Sequence, residues 1–363
     1  MTDREYMELA LTIARSTRGR TWPNPMVGAV VVNDGNIVGM GAHLRAGTPH
    51  AEVHALEMAG EAARGGTLYV TLEPCSHYGR TPPCADRVIE SGVKRVVIAM
   101  LDPNPRVSGR GVERLRNAGI EIEVGLCEEE SRQMNEVFVH YITTRRPFVI
   151  MKTAMTLDGK IATASGDSRW VTGDLARLEV HRLRDRVDAI LVGIGTVLED
   201  DPELTTRLPE GGKNPLRVIV DTSLRIPDEA RVLDTKTART VIACGEDADD
   251  SRERMLREKG VEIIRMPVVD GKVNLKALME ELGRREIASI LVEGGAEING
   301  SLLSAGLIDQ VMTFIAPKLI GGTGPTPIGG KGFSRMQDAL ELERVRVERF
   351  GEDVAVIGYP RKG

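Results

Sequence analysis

The sequence predicts two successive α/β domains, and three observations carry the prediction. Its 363 residues exceed what one hydrophobic core usually serves. Short β-rich runs alternate with helix-patterned stretches along the chain, the signature of layered α/β structure. The alternation breaks at Arg145-Arg146-Pro147, where proline fixes φ and removes a backbone donor. The expected domains are therefore residues 1–146 and 147–363.

The first element is an amphipathic helix over residues 2–16, opened by a Thr2-x-x-Glu5 capping box. Acidic residues interrupt its apolar stretch, so it does not read as a secretory signal, and a cytoplasmic location is expected. VGAVVV (27–32) and NIVGMG (36–41) flank Asn33-Asp34-Gly35-Asn36, a hairpin signal. Helix and strand patterns then alternate at 50–63, 67–73, 82–92 and 94–101. A helix at 112–119, a strand at 120–125 and one continuous helix from Glu128 to Thr144 complete the first half. The second half opens with a strand from Phe148 that runs into an Asp158-Gly159 turn, then a loop over 167–174 and a helix to Val187. Further strands are expected at 189–195, 216–221, 240–245, 289–295 and 310–322, and two more turn at Gly351-Glu352-Asp353 near the end.

Composition excludes several classes. Hydrophobic residues at 41% and charged residues at 28% are globular values, and no apolar run approaches the roughly 18 residues of a membrane helix. Net charge is −5, with 17 basic against 18 acidic residues up to residue 146 and 31 against 35 beyond it. Neither half is basic and aromatics make up only 3%, so nucleic acid is not an expected partner. Four cysteines cannot staple a chain of this length, which directs attention to metal binding or catalysis. Five of the six histidines precede residue 141, so metal chemistry is expected in the first domain.

His50-Ala51-Glu52 opens one helix, and Pro74-Cys75 with Cys84 leads into another. One imidazole and two thiolates supply three ligands for a single zinc ion and leave a fourth position open, as in catalytic zinc sites. Glu52 follows the histidine on the same helical turn and can carry a proton from attacking water to a leaving amine. The competing reading is structural zinc, or separately buried cysteines with Glu52 on a solvated face. His54 lies four residues after His50, but the spacing is not that of a zincin and it reads as packing. Cys127 and Cys244 have no neighbouring ligand signal.

Zinc deaminases of bases carry H-x-E followed by P-C-x-x-C, whereas eight residues separate Cys75 from Cys84 here. The intervening EPCSHYGRTPPC, with TWPNPMVGAVVV and HLRAGTPHAEVHAL, resembles the deaminase domain of bacterial bifunctional riboflavin-biosynthesis proteins. That resemblance implies a cytidine-deaminase-like α/β/α layered fold. It implies that Asn24, His43, His77 and Arg80 bind the deaminase substrate, with Asn24 on the pyrimidine and His77 and Arg80 on base or ribose phosphate.

In the second half no G-x-G-x-x-G follows a strand, so a Rossmann domain is not supported. SILVEGGAEINGSLL runs an apolar strand into paired glycines at a helix start, which reads either as a pyrophosphate cradle or as a plain tight turn. MKTAMTLDGKIATASGDSRWVTG, DAILVGIGTVLEDDPELTTR and VEGGAEINGSLL resemble the reductase domain of the same family, which implies a dihydrofolate-reductase-like fold and NADPH. On that resemblance Ala154, Trp170, Thr196, Asp200 and the run Gly295, Ala296, Glu297, Ile298, Asn299, Gly300 and Ser301 line the cofactor. Ser168, Arg184, Leu204, Arg207 and Glu293 face the substrate, and Lys152 contacts its sugar. The proton donor is left open among Lys152, Asp200, water and substrate hydroxyls.

The implied activity is a two-step riboflavin-pathway conversion: zinc-dependent hydrolysis of the 2-amino group of a diaminopyrimidine ribosyl phosphate, then NADPH reduction of ribosyl to ribityl. The partners are small molecules, without nucleic acid or membrane, and the family implies a homo-oligomer. One alternative is a cytidine- or tRNA-type deaminase joined to a pterin-type reductase, and another is a pseudoenzyme that keeps zinc as a binding module.

Overall fold

In the computed structural model, which describes residues 1–76, 83–104 and 107–361, the capping box forms as the sequence requires. The Glu5 N–H donates to Thr2 Oγ1 at 3.3 Å and the Thr2 N–H donates to Glu5 Oε2 at 2.6 Å, starting helix α1 (Asp3–Arg15). Contacts divide the chain into two units, Met1–Arg145 and Arg146–Gly363.

In the first unit β1 (Gly28–Asn33) and β2 (Asn36–Ala42) form an antiparallel hairpin. Asp34 and Gly35 at its tip both have positive φ, as the Asp-Gly pair requires. α2 (Ala51–Ala59), β3 (Thr67–Val70), α3 (Cys84–Ser91), β4 (Arg95–Ile98), α4 (Arg110–Asn117) and β5 (Glu121–Val124) follow. Among the described residues the strands form a five-stranded sheet in the order β2-β1-β3-β4-β5. Alternation sends Ala29, Val31, Leu68 and Val70 to one face, where Ala55, Leu56, Val88 and Leu115 cover them. Val30, Val32, Tyr69 and Val97 face the other way, onto Met7, Leu11 and Met134. The result is an α/β/α sandwich.

Two local features set the geometry of this unit. A Cβ at Gly39 would stand 2.1 Å from the Ala55 carbonyl oxygen, and one at Gly41 would stand 2.5 Å from that of Ala51 and 2.6 Å from His54 Cβ. Helix α2 therefore lies backbone to backbone on β2. The continuous helix expected from Glu128 to Thr144 is instead two, α5 (Glu128–Met134) and α6 (Glu136–Thr144). The break is Asn135, whose buried side chain accepts from the Met26 N–H at 2.8 Å and donates to the Met26 carbonyl at 2.9 Å. A side chain that makes both hydrogen bonds of a strand pair replaces the helical continuation.

In the second unit the described strands are β6 (Phe148–Thr156), β7 (Ala189–Gly193), β8 (Leu216–Val220), β9 (Thr240–Gly245), β10 (Glu262–Met266), the two-residue pair β11 (Val268–Val269) and β12 (Lys272–Val273), β13 (Ser289–Val292), β14 (Gln310–Ala316), β15 (Leu342–Phe350) and β16 (Asp353–Pro360). Nine of them form one sheet in the order β10-β9-β8-β7-β13-β6-β14-β16-β15, parallel from β10 to β14 and antiparallel beyond. Helices α7 (Asp174–Arg186), α8 (Ile194–Asp200), α9 (Asp250–Glu258), α10 (Leu275–Arg284) and α11 (Ala296–Ser304) complete it. Leu278, Leu282 and Leu302 pack with Leu191, Val218 and Val241, while Val197 and Leu256 pack with Ile190, Ile219 and Ile242. The carboxyl ends of β6, β7 and β13 thus lie together, the usual place for a ligand in a parallel sheet.

Gly41→Ala inserts a methyl where no side chain fits, so α2 must recede. The expected cost is about 1–3 kcal/mol, read as a lowered urea midpoint of the first unit. An unchanged midpoint would show that the helix is not pressed onto the strand.

Candidate active sites

In the first unit His50 is the N-cap of α2 and Cys84 is the first residue of α3. His50 Nδ1 lies 3.1 Å from Cys84 Sγ and 3.7 Å from Cys75 Sγ, and the three donor atoms fall within 4.8 Å of one another. A tetrahedral zinc ion with Zn–N and Zn–S bonds of about 2.1 and 2.3 Å spans N···S distances of about 3.6 Å, so the donor set fits that metal. Among the described residues no other His, Cys, Asp and Glu group has this geometry. Hydrogen bonding from Cys84 holds the Cys75 thiol down at about 4, and the same contact with burial pushes Cys84 upward. Glu52 is buried in the first turn of α2, and burial pushes its carboxyl up to about 7 against the pull of His50.

Asn24 and His43 lie beside this cluster. The buried His43 ring meets His50 edge to face at 5.1 Å. Its Nδ1–H points at the Pro49 carbonyl at 3.2 Å, which leaves Nε2 to accept from the Asn24 amide at 2.9 Å. Both ring nitrogens are used internally, so His43 orients Asn24. His77 and Arg80 lie outside the described residues. His54 faces Gly41 and is not in the metal-capable group. Cys127 and Cys244 are buried.

Sequence reasoning missed Glu73, the residue before Pro74-Cys75. Its buried carboxylate accepts four backbone N–H groups: Gly111 at 2.8 Å and Val112 at 3.2 Å on Oε1, Gly109 at 2.9 Å and Asp102 at 3.1 Å on Oε2. It thereby serves the start of α4 and ties it to the segment bearing Cys75. An acid closing the apolar strand TLYV, just before Pro-Cys, was the available signal.

In the second unit a cleft of about 550 Å³ opens at the strand ends and is lined by all six proposed substrate residues, Lys152, Ser168, Arg184, Leu204, Arg207 and Glu293. Arg184 grips Glu293 with two hydrogen bonds, Nε to Oε1 at 2.7 Å and Nη2 to Oε2 at 3.2 Å, and Lys152 Nζ lies 3.4 Å from Oε2. Burial pushes Glu293 upward, but Arg184 and Lys152 outweigh it and hold the carboxyl at about 2. With its folded value depressed, the triad's stabilisation is present above the ordinary glutamate pKa and is lost as pH falls through about 2.

Of the proposed dinucleotide residues, Ala154, Trp170, Asp200 and Asn299 line the cleft. The Arg177 guanidinium stands 4.6 Å over the Trp170 ring. Thr196 Oγ1 accepts from the Gly295 N–H at 3.1 Å, joining the first turn of α8 to that of α11. Ala296 and Glu297 begin α11, but the Glu297 side chain pairs with Lys272 at 2.5 Å. Ile298 packs in the core, Gly300 backs onto Gly329, and Ser301 Oγ donates to the Glu297 carbonyl. These residues offer backbone and support. Asn299 spends its N–H groups on the Gly294 and Pro327 carbonyls, leaving its buried Oδ1 without a partner. A free acceptor calls for a hydroxyl or amide donor on a bound molecule, while the helix N-terminus beside it suits a phosphate. Arg177 and His181 also line the cleft and were missed; the one histidine after residue 141, three residues before Arg184 on a helix, was the signal.

Residues 147–356 match the RibD C-terminal domain, and residues 1–100 match the cytidine and deoxycytidylate deaminase zinc-binding region. The riboflavin biosynthesis protein RibD of Aquifex aeolicus is 49% identical, with the alignment covering 98% of this chain and 97% of that protein. The chain belongs to the RibD family. It is thus one of the bifunctional deaminase–reductases of riboflavin biosynthesis, which sets aside the cytidine- or tRNA-type deaminase with a pterin-type reductase. RibD of Acinetobacter baumannii has a solved structure that matches with a TM-score of 0.88 at 38% identity over 99% of both chains. A Thermotoga maritima structure, described as a diaminohydroxyphosphoribosylaminopyrimidine deaminase/5-amino-6-(5-phosphoribosylamino)uracil reductase, matches with a TM-score of 0.87 at 42% identity over 99% of both chains. Among the described residues no helix is long and apolar enough to cross a membrane.

Glu73→Gln turns one carboxylate oxygen into an NH₂ that must face backbone donors. Loss of charge-assisted bonds of about 1.5–3 kcal/mol should loosen the Cys75 segment, and zinc should pass to a chelator faster than from the wild type. Equal transfer rates would show that Cys75 does not depend on Glu73.

Proposed function

We propose that the first unit hydrolyses the 2-amino group of 2,5-diamino-6-(5-phosphoribosylamino)pyrimidin-4(3H)-one, and that the second reduces the ribosyl chain of that product with NADPH to give 5-amino-6-(5-phosphoribitylamino)uracil. The observation that carries the reading is the convergence of His50, Cys75 and Cys84 beside the buried Glu52, in a family that pairs this site with a reductase. His50, Cys75 and Cys84 would hold one zinc ion per chain, which would supply Lewis-acid activation of water. Glu52 takes the proton that water loses on attacking the amidine carbon and delivers it to the departing amine, which leaves as ammonia. Asn24, held by His43, hydrogen-bonds the pyrimidine. His77 and Arg80 are proposed for base and phosphate on resemblance alone.

In the second unit NADPH supplies the hydride. The backbone amides of Ala296 and Glu297 would hold its pyrophosphate, and Ala154, Trp170, Thr196, Asp200 and Asn299 would flank its other groups. Glu293, kept ionised by Arg184 and Lys152, accepts hydrogen bonds from the sugar hydroxyls, and Ser168 and Leu204 shape the same wall. Arg207 takes the substrate phosphate. Lys152 and Asp200 remain the protein groups available to supply a proton. A cytoplasmic homo-oligomer accords with the family.

Glu52→Gln should retain its zinc, because Glu52 is not a ligand, and lose several orders of magnitude in ammonia release. It should still oxidise NADPH when given the deaminated substrate. Wild-type ammonia release by this variant would overturn the assignment. Arg207→Ala should lower reductase kcat/KM by about tenfold or more, and removing the substrate phosphate should abolish most of the difference between the two proteins. An equal loss with and without phosphate would give Arg207 another role.

A further inference from the structure

Helix α7 turns one side toward the loop that carries Arg207, and His181 is one of the points where they are fastened. His181 Nδ1 accepts from the Arg207 backbone N–H at 3.3 Å. One turn further along the helix, Arg184 Nη1 donates to the Thr205 carbonyl at 2.9 Å. Leu204 in the same loop is buried with φ at 52°, so the loop is closely constrained at its base. The Arg207 guanidinium, by contrast, is half exposed, donating to Glu203 Oε2 at 2.9 Å and to Thr205 Oγ1 at 3.0 Å where it lines the cleft.

An imidazole that accepts at Nδ1 is neutral and carries its proton on Nε2. Burial, followed by the charges of Arg184 and Arg207, holds His181 down at about 4, so the accepting form persists at neutral pH. Toward the Arg207 N–H His181 therefore works as an acceptor, flanked by the Arg184 and Arg207 cations, whose effect outweighs the Glu293 carboxylate and the Thr205 backbone. Shifting the Arg207 backbone by even a few tenths of an ångström at this point swings a guanidinium at the end of a long side chain through a larger distance.

We infer that His181 is a positioning residue of the reductase site, whose acceptance of the Arg207 backbone N–H sets where the Arg207 guanidinium meets the substrate phosphate. The inference rests on the proposed contact between Arg207 and that phosphate. It confines the effect of His181 to substrate binding: the imidazole acts through Arg207 and takes no part in hydride or proton transfer.

The test is steady-state reductase kinetics of the full-length zinc- and NADPH-supplied protein, with the phosphorylated and the dephosphorylated substrate. His181→Phe keeps a ring and removes the acceptor, whereas His181→Asn places Oδ1 near the position of Nδ1. His181→Phe should raise KM for the phosphorylated substrate about tenfold, with kcat and the NADPH KM within about twofold of the wild type. His181→Asn should recover to within about threefold, which a purely space-filling role would not produce. On the dephosphorylated substrate the Phe variant should match the wild type, and the double variant with Arg207→Ala should be no worse than Arg207→Ala alone. A Phe variant that matches the wild type on the phosphorylated substrate while Arg207→Ala shows a phosphate-specific loss overturns the inference alone. So does a fall in kcat, or an Asn variant as poor as Phe. If Arg207→Ala loses equally with and without the phosphate, the underlying phosphate contact is wrong, and the inference falls with it. An unchanged thermal unfolding midpoint of the second unit in every variant reports that it has folded.

Discussion

Burying a carboxylate costs several kcal/mol unless its lone pairs are met, and each unit of this protein places a glutamate that is buried, as Glu73, or largely so, as Glu293, just past the end of a strand. Glu73 follows β3 by three residues and is met by four peptide N–H groups; Glu293 follows β13 directly and is met by a guanidinium and an ammonium group. The segment that comes next carries the chemistry in both cases. Pro74-Cys75 leaves Glu73 toward the metal ligands, and Gly294-Gly295 leaves Glu293 toward the start of α11. Removing either carboxylate would strand several donors or cations at once, so the two acids hold the geometry on which both sites depend.

The way each acid is satisfied matches its surroundings. Peptide dipoles neutralise Glu73 without mobile side chains, which suits a residue that orders the backbone around a ligand. Cations on flexible stems neutralise Glu293 at the wall of an open cleft, where an incoming hydroxyl can still share the carboxylate. The first unit uses helix starts in a second way. His50 stands at the N-cap of α2 and Cys84 begins α3, so the positive ends of two helices face the donor atoms and favour the negative charge that Cys75 carries.

Much of this was legible in the sequence. The β-rich runs VGAVVV and NIVGMG, the Asp34-Gly35 turn between them and the Thr2–Glu5 box are local signals, and the structure honours each. His50, Cys75 and Cys84 could be grouped because metal ligation demands particular side chains, whatever the fold. What stayed hidden depends on contacts distant in sequence. Asn135 breaks a helix to bond Met26, 109 residues away, and Glu73 reaches donors up to 39 residues on. That His43 supports Asn24, with the Pro49 carbonyl fixing its tautomer, was likewise not legible. Strand β10, at the sheet edge beside β9, is five residues long and interrupted by Arg265, too weak a pattern to stand out.

The glycines under α2 have a further consequence. With Gly39 and Gly41 bringing peptide against peptide, no layer of side chains lies between the strand and the helix that presents His50 and Glu52. Elsewhere in a protein such a layer absorbs substitutions over evolutionary time, shifting helices slightly as leucines become valines or isoleucines. On the β2 side the depth of the catalytic helix is set by main-chain contact. Related sequences can therefore exchange most of the surrounding apolar residues and leave the distance from acid to metal ligand unaltered, provided that they never place a side chain at those two positions.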